Sequence, residues 1–302
     1  MLNHDLDEDA LPSVAPRTKI VNVPGGTTQA TLYPSVIPGT PTAIVLPAMG
    51  TPARVYARLA RVLNFHGLNA VTIDLRGVGN SSLRADRHHD WGYLDLVDDE
   101  TNAAVALARD AFPDTPFFFL GHSLGGHLAL LHLARHPASG AAGAVLVASG
   151  SPYVRLYRGF SWLVLQALVA LARVTSERRG VWRGDKYRFG GIQPRTLMRE
   201  WTAFARTGFL VPEGDPAWNA EAALHELRSP IVALAMRGDH YAPERAIRHL
   251  TAKTAAAISE EHVAHAIPAH APGHFGWLRD PETTACAIAA NLGRLGLSRS
   301  LS

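Results

Sequence analysis

From about residue 42 to the end of the chain, short apolar and β-branched runs alternate with longer stretches whose apolar positions recur at helical spacing. Near-continuous apolar runs at 43–46, 70–75, 117–120, 144–148 and 231–236 are the pattern of strands buried on both faces, and a weaker run covers 262–267. Helical patterns fill the gaps at 53–65, 93–111, 124–135, 243–253 and 281–295, several of them opening on Pro or an acidic first turn. This alternation predicts an α/β fold with a mostly parallel, eight-stranded sheet flanked by helices. Ahead of it, 18–23 and 29–33 flank a Pro-Gly-Gly turn and predict an antiparallel hairpin at the sheet edge.

Residues of about 153–227 break the rhythm. They hold an apolar stretch at 160–174, a Gly/Arg-rich segment at 177–191 and a helical pattern near 195–206. The expected organisation is therefore a tail (1–17), a core built from 18–152 and 228–297, a helical cap inserted at 153–227, and a short C-terminal tail (298–302). The stretch 160–174 is shorter than the roughly 20 residues a spanning helix needs and ends near Arg173, so it reads as a helix covering an apolar interior rather than as an integral membrane segment.

One strand runs directly into a chemical motif. Phe117 to Leu120 lead into Gly121-His122-Ser123-Leu124-Gly125-Gly126 and then into a helix carrying Leu124, Leu128 and Leu131. Strand, tight turn and helix are the context in which G-x-S-x-G exposes a serine nucleophile, because glycines allow the sharp turn and the helix start offers free N–H groups for developing negative charge. Ser123 is the expected nucleophile.

A serine hydroxyl needs a base within hydrogen-bond reach, and the base needs a carboxylate to fix its tautomer. With a turn of this kind the chain order is Ser, acid, His. The run 231–236 ends at Arg237-Gly238-Asp239-His240-Tyr241, which places Asp239 at the carboxyl end of a core strand, with Glu244 as the fallback. Beyond the last expected strand, His274 lies between Gly273 and Phe275-Gly276 and fits the base; His262, His265 and His270 are its rivals. The oxyanion donors are expected to be the Leu124 amide and, from the loop Pro47-Ala48-Met49-Gly50-Thr51, the Met49 amide, with Gly50 the alternative. His122, Trp162, Leu165 and Tyr241 are the expected substrate contacts, with Trp162 and Leu165 lining an apolar pocket under the cap.

Composition narrows the class without redirecting it. The 302 residues are 47% hydrophobic with a formal charge of +3, and the basic residues form no run that suggests a nucleic-acid arm. Arg155, Arg158, Arg178, Arg179 and Arg183 read as a solvated basic surface. The single cysteine, Cys286, cannot form an intramolecular disulfide, and residues 1–16 lack the basic start and apolar stretch of a secretory signal, so a cytoplasmic protein is expected. No H-E-x-x-H occurs, and His262 and His265 would face opposite sides of a strand, so no catalytic metal is expected. Neither G-x-G-x-x-G after a strand nor a phosphate loop is present, and no cofactor is expected.

Over about residues 18–297 the chain resembles the α/β-hydrolase superfamily. The residues that carry the likeness are Gly-His-Ser-Leu-Gly-Gly at 121–126 and the loop Asp74-Leu75-Arg76-Gly77-Val78-Gly79-Asn80-Ser81-Ser82, similar to D-x-R-G-x-G-x-S. Asp90-Trp91-Gly92, Ala148-Ser149-Gly150-Ser151 and Gly273-His274-Phe275-Gly276 look closest to capped hydrolases related to serine aminopeptidase-like and monoacylglycerol-lipase-like members. Many relatives carry His-Gly where this chain has Pro47-Ala48, so the likeness is weaker at the oxyanion loop than at the triad.

The resemblance implies an esterase-type site acting on a small-molecule acyl substrate. The leading expectation is hydrolysis of a carboxylic ester or thioester with a mostly apolar acyl group. Acyl transfer through the same residues is the alternative, and a non-enzymatic ligand-binding protein is a third class that a complete Ser-Asp-His set disfavours. Oligomeric state is left open by the sequence.

Overall fold

A computed structural model describes residues 14–254, 259–262 and 273–297. In chain order the strands are β1 (Arg17–Val23), β2 (Gly26–Tyr33), β3 (Thr42–Leu46), β4 (Asn69–Ile73), β5 (Phe117–His122), β6 (Ala144–Val147), β7 (Val181–Arg183), β8 (Ile192–Pro194), β9 (Ile231–Leu234) and β10 (Ser259–His262). The helices are α1 (Ala57–Phe65), α2 (Tyr93–Asp95), α3 (Asn102–Ala111), α4 (Leu124–Arg135), α5 (Gly159–Arg179), α6 (Arg195–Thr207), α7 (Ala220–Glu226), α8 (Glu244–Thr251) and α9 (Glu282–Asn291).

Eight strands form one sheet in the order β1-β2-β4-β3-β5-β6-β9-β10. The hairpin β1–β2 is antiparallel and β2 runs antiparallel to β4; every pairing from β4 onward is parallel. Period-two alternation divides the core between the two faces. Ile44, Leu46, Val71, Ile73, Phe117, Phe119 and Leu146 pack with residues of α3, α4 and α8 on one side. Ala43, Val45, Ala70, Phe118, Leu120, Val145 and Val147 pack with residues of α1 and α9 on the other. Parallel strands covered on both faces need apolar residues at nearly every position, which is why their runs are continuous in the sequence.

The last strand differs from expectation. β10 occupies Ser259–His262 and pairs in parallel with β9 through Ser259↔Ile231 to His262↔Leu234, whereas the apolar run at 262–267 overlaps it only at His262 and otherwise lies outside the described residues. An edge strand is held through its backbone on one side, so it does not require the apolar run that marks a central strand. The expected helix at 93–111 is continuous but contains a π-helical stretch, Leu96–Thr101, between α2 and α3.

Between β6 and β9, which are neighbours in the sheet, the chain inserts α5, the β7–β8 hairpin, α6 and α7. α7, unassigned from the sequence, is capped by Asn219, whose side chain accepts the Ala222 N–H at 3.1 Å. α5 departs from the sequence reading: it runs 21 residues, long and apolar enough to cross a membrane by length and composition. Only Val169, Ala172 and Ser176 are buried in it, and Phe160 is 80% exposed. Its apolar residues therefore do not chiefly cover an interior.

The insertion is tied to the core by the Asp90-Trp91-Gly92 segment. Asp90 Oδ1 accepts the Thr196 N–H at 2.8 Å at the start of α6, and the Trp91 carbonyl accepts the Leu197 N–H at 2.9 Å. Glu200, one turn further along α6, accepts the Tyr93 N–H at 2.7 Å. Helix starts leave N–H groups without helical partners, and here the core supplies acceptors to the start of α6 while Glu200 of α6 supplies one to the start of α2.

Candidate active site

β5 delivers the nucleophile turn. Ser123 has φ 53° and ψ −115°, a left-handed conformation that costs a side-chain-bearing residue roughly 1–3 kcal/mol. The surroundings hold it there. Its N–H donates to the Val147 carbonyl at 3.2 Å, and its carbonyl accepts the Ser149 hydroxyl at 2.7 Å and the Gly126 N–H at 3.0 Å. The glycines permit close packing: a Cβ on Gly125 would sit 2.0 Å from the Leu46 carbonyl oxygen, and one on Gly121 would sit 2.5 Å from the Gly125 carbonyl oxygen. Strand and helix approach so tightly that Ser123 is left at the apex as the first residue before α4.

The expected acid and base meet. Asp239 is buried, and its Oδ2 accepts a hydrogen bond from His274 Nδ1 at 2.8 Å. The other oxygen, Oδ1, accepts the N–H groups of Tyr241 at 2.8 Å and Ala242 at 2.9 Å, so both carboxylate oxygens are bonded and the group is fixed. With Nδ1 donating, the lone pair of neutral His274 is on Nε2, the tautomer a general base requires. The two loops are joined directly by the Gly273 N–H donating to the Arg237 carbonyl at 3.0 Å. No hydrogen bond between the Ser123 hydroxyl and His274 is made among the described residues. Glu244, the fallback acid, instead pairs with Arg248 at the start of α8; His265 and His270 lie outside the described residues.

His122 was expected to touch substrate, and the structure corrects this. It is buried and both ring nitrogens are engaged: Nδ1 lies 2.7 Å from the Tyr56 hydroxyl and Nε2 lies 3.0 Å from the His274 carbonyl oxygen. A carbonyl only accepts, so Nε2 carries the proton and Nδ1 accepts from Tyr56. Burial, helped by the neighbouring His274, holds the His122 pKa well below the ordinary histidine value, which keeps this neutral tautomer. The Tyr56 oxygen in turn accepts the Ala48 N–H at 2.9 Å.

Ala48 precedes the expected oxyanion donor. The Thr51 N–H donates to the Ala48 carbonyl at 3.0 Å, closing a turn with Met49 and Gly50 at its centre, and Gly50 has φ 68°. Among the described residues the Met49 and Leu124 amides make no hydrogen bond, which leaves both as available donors. The β7–β8 connection lies directly on this turn. A Cβ on Gly50 would fall 2.3 Å from the Gly190 carbonyl oxygen, and one on Gly190 would fall 2.7 Å from Met49 Sδ.

The remaining expected contacts separate. Tyr241 is 52% exposed with its ring 5.3 Å from that of His274 and 6.1 Å from Phe189, a residue of the β7–β8 connection that sequence reasoning missed. Leu165 is partly buried against the core. Trp162, on α5, is 38% exposed and among the described residues makes no ring contact with Tyr241 or Phe189.

Comparison with known proteins accords with this geometry. The sequence profile described as serine aminopeptidase, S33, matches residues 40–193, just over half the chain. The chain belongs to this family. As a serine aminopeptidase S33 family protein it is a hydrolase of the α/β-hydrolase superfamily, and the fold described above is the α/β-hydrolase fold. Similar solved structures include Est1E from Butyrivibrio proteoclasticus with ferulic acid bound, 15% identical, with a TM-score of 0.62 over 92% of this chain and 99% of that one. A highly thermostable carboxyl esterase from Bacillus coagulans in complex with glycerol is 15% identical, with a TM-score of 0.61 over 94% and 100%. An N-formylmaleamic acid deformylase from Pseudomonas putida is 17% identical, with a TM-score of 0.57 over 90% and 100%. At these identities the likeness is one of fold. The comparison with curated proteins gives no match.

Tyr56 and Trp277 are further residues packed around the Ser123 turn and the His274 loop that the sequence does not mark, while Ser149, which holds the Ser123 carbonyl, belongs to the 148–151 segment that resembles capped hydrolases. Trp277 Nε1 donates to the His274 carbonyl at 3.0 Å beside His122. Tyr56 reads in the sequence as an apolar position of the 53–65 helical stretch, and Trp277 falls between His274 and the 281–295 stretch in no expected element, so nothing in the periodicity announces their polar atoms.

Proposed function

We propose that the protein is a serine hydrolase that cleaves a carboxylic ester or thioester bearing a mostly apolar acyl group of small to medium size. The observation that carries this reading is the strained backbone of Ser123 at the head of α4, on the same rim of the sheet as the 2.8 Å Asp239–His274 pair. Strain of this kind persists where the surroundings enforce it, and it presents a serine hydroxyl clear of its own backbone.

In this mechanism Ser123 Oγ attacks the acyl carbonyl while His274 Nε2 takes its proton. The imidazolium is stabilised by Asp239 and returns the proton to the leaving alcohol or thiol. The tetrahedral oxyanion accepts from the Leu124 and Met49 amides, each donor contributing about 3 kcal/mol to the transition state. Water, deprotonated by the same histidine, then releases the acid from Ser123. Residues 153–227 act as a cap, its β7–β8 connection resting on the oxyanion turn.

The surroundings favour an apolar acyl group over a peptide with a free amino terminus. Tyr241, Phe275, Phe189 and Met49 lie around His274 and the 47–51 turn, and the carboxylate bonded to His274, that of Asp239, is buried behind the ring and not open to an ammonium group. One observation favours acyl transfer as a second reading: Gly190 sits on the Met49–Gly50 turn at backbone contact distance, and such closure limits water.

Intact-mass spectrometry after fluorophosphonate treatment, beside a panel of p-nitrophenyl esters, tests the proposal. Labelling of the wild type but not of Ser123→Ala, together with ester turnover, is expected. Failure of Ser123 to be labelled overturns it. Products analysed with and without an added alcohol separate hydrolysis from transfer.

A further inference from the structure

On the sheet face covered by α1 and α9, three potential metal ligands converge. His66 ends α1, its backbone anchored by its N–H donating to the Val62 carbonyl at 3.1 Å. Glu282 and Cys286 sit four apart on α9, which places them one above the other on one helix face. His66 Nε2 lies 2.9 Å from Glu282 Oε1, Cys286 Sγ lies 3.6 Å from His66 Nε2, and Cys286 Sγ lies 3.6 Å from the same Glu282 oxygen.

These separations fit a tetrahedral ion. Zinc bonds of about 2.3 Å to sulfur, 2.05 Å to nitrogen and 2.1 Å to oxygen give tetrahedral S···N and S···O edges of about 3.6 Å and an N···O edge of about 3.4 Å. Both sulfur edges already have that length; the N···O edge needs to open by roughly half an ångström, from a hydrogen bond to shared coordination. Two ligands four apart on a helix are a recurring means of holding zinc from one face. A thiolate and a carboxylate balance the ion's double charge, and the mixed S, N, O set suits a borderline-soft cation over magnesium or calcium. The Glu282 side chain is 39% exposed and Cys286 is exposed, so solvent can deliver the ion and supply a fourth ligand.

We propose that His66, Glu282 and Cys286 form a binding site for a divalent transition metal of the zinc type, separate from the Ser123 site. On binding, the Cys286 thiol proton is released to solvent and the His66 proton shifts from Nε2 to Nδ1, freeing Nε2 as a ligand. The ion links the end of α1 to the first turn of α9, the helix that follows the His274 loop, so its effect is on stability. The ordinary alternative is that these groups form hydrogen bonds and hold no ion.

Cobalt(II) titration of tag-free, chelator-treated protein distinguishes the two. One equivalent is expected to produce a thiolate-to-cobalt charge-transfer band with tetrahedral d–d absorption, both removed by zinc. Cys286→Ser abolishes the charge-transfer band, and His66→Ala weakens binding by roughly 100-fold or more, since even a lost outer-shell partner costs up to that much. Other histidines can take up cobalt but yield no sulfur band. Zinc is also expected to raise the Tm of the wild type and not of Cys286→Ser. Absence of the sulfur band, or an equal Tm rise in Cys286→Ser, overturns the site.

Discussion

His122 Nε2 donates a hydrogen bond to the backbone carbonyl of His274 at 3.0 Å, so the residue beside Ser123 holds the main chain of the proposed base. The contact is one link of a chain. The Ala48 N–H donates to Tyr56, Tyr56 donates to His122 Nδ1, and Trp277 donates to the same His274 carbonyl. The 47–51 turn, the Ser123 turn and the His274 loop are thereby bound through one buried set of neutral donors and acceptors, each with a unique direction.

Tyr56→Phe breaks that chain at its centre. It leaves the Ala48 N–H and His122 Nδ1 unpartnered in the interior, at a cost of about 1–3 kcal/mol in unfolding free energy. Ser123 and the Asp239–His274 pair remain, so kcat/KM for a p-nitrophenyl ester is expected to fall by about tenfold to a hundredfold through misplacement. Ser123→Ala is expected to cost on the order of a millionfold. Urea unfolding and steady-state kinetics on the same preparations check both; a Tyr56→Phe protein with wild-type stability and rate contradicts the network.

At Ser123 the backbone conformation and the chemistry make opposite demands. Glycine accepts φ near +53° without strain, so Ser123→Gly is expected to be more stable than Ser123→Ala by about 1 kcal/mol, while both lose turnover. Denaturant midpoints measured side by side decide it. A glycine variant less stable than the alanine variant shows that the turn stores no strain.

Two buried groups give opposite dependences of stability on pH. Burial lowers the His127 pKa to about 4, where its Nε2 donates to the Gly150 carbonyl and Nδ1 accepts from Tyr93. The unfolded chain takes up this proton below about 6.5 and the folded one does not, so stability is lost as pH falls from about 6.5 to 4, by on the order of 3 kcal/mol. Burial raises the Glu200 pKa to about 8 against the opposing donation of the Tyr93 and Glu213 N–H groups. The folded state there retains a proton the unfolded state has released, so stability is lost as pH rises from about 4.5 to 8. His127→Gln should remove the acid-side loss and Glu200→Gln the alkaline-side loss. Unfolding free energies at about pH 4.5, 6 and 7.5 for all three proteins check the signs.

The parts of the site legible in the sequence are those enforced by local geometry. The turn around Ser123 needs glycines because Leu46 and the start of α4 leave no room for a Cβ, and Asp239 follows from the end of a buried strand. The misreadings arose where composition stands apart from position. Periodicity shows that 160–174 is helical and apolar but not which of its residues meet the core, and of that stretch only Val169 and Ala172 are buried. His122 looks like a substrate contact by adjacency to Ser123, yet successive residues of a strand point to opposite faces and carry it beneath the sheet end. The β10 edge is held by backbone pairing that an apolar run cannot report.

The partial exposure of Trp162 makes a pair of substitutions informative. Phe189 stands 5.2 Å from Trp201 and 6.1 Å from Tyr241, whose ring is 5.3 Å from His274, so Phe189→Ala removes bulk from the aromatic wall beside the base. Each added methylene accommodated in an apolar pocket is worth about 1–3 kcal/mol in discrimination. The optimum acyl length across p-nitrophenyl acetate to palmitate is therefore expected to move to longer chains in Phe189→Ala, with kcat/KM for acetate falling. Trp162→Ala should leave the optimum unchanged, because Trp162 is 38% exposed and, among the described residues, makes no ring contact with the aromatic group beside His274. Circular dichroism of both variants guards against misfolding. A shifted optimum in Trp162→Ala with none in Phe189→Ala would place the acyl group along α5 and not beneath the β7–β8 connection.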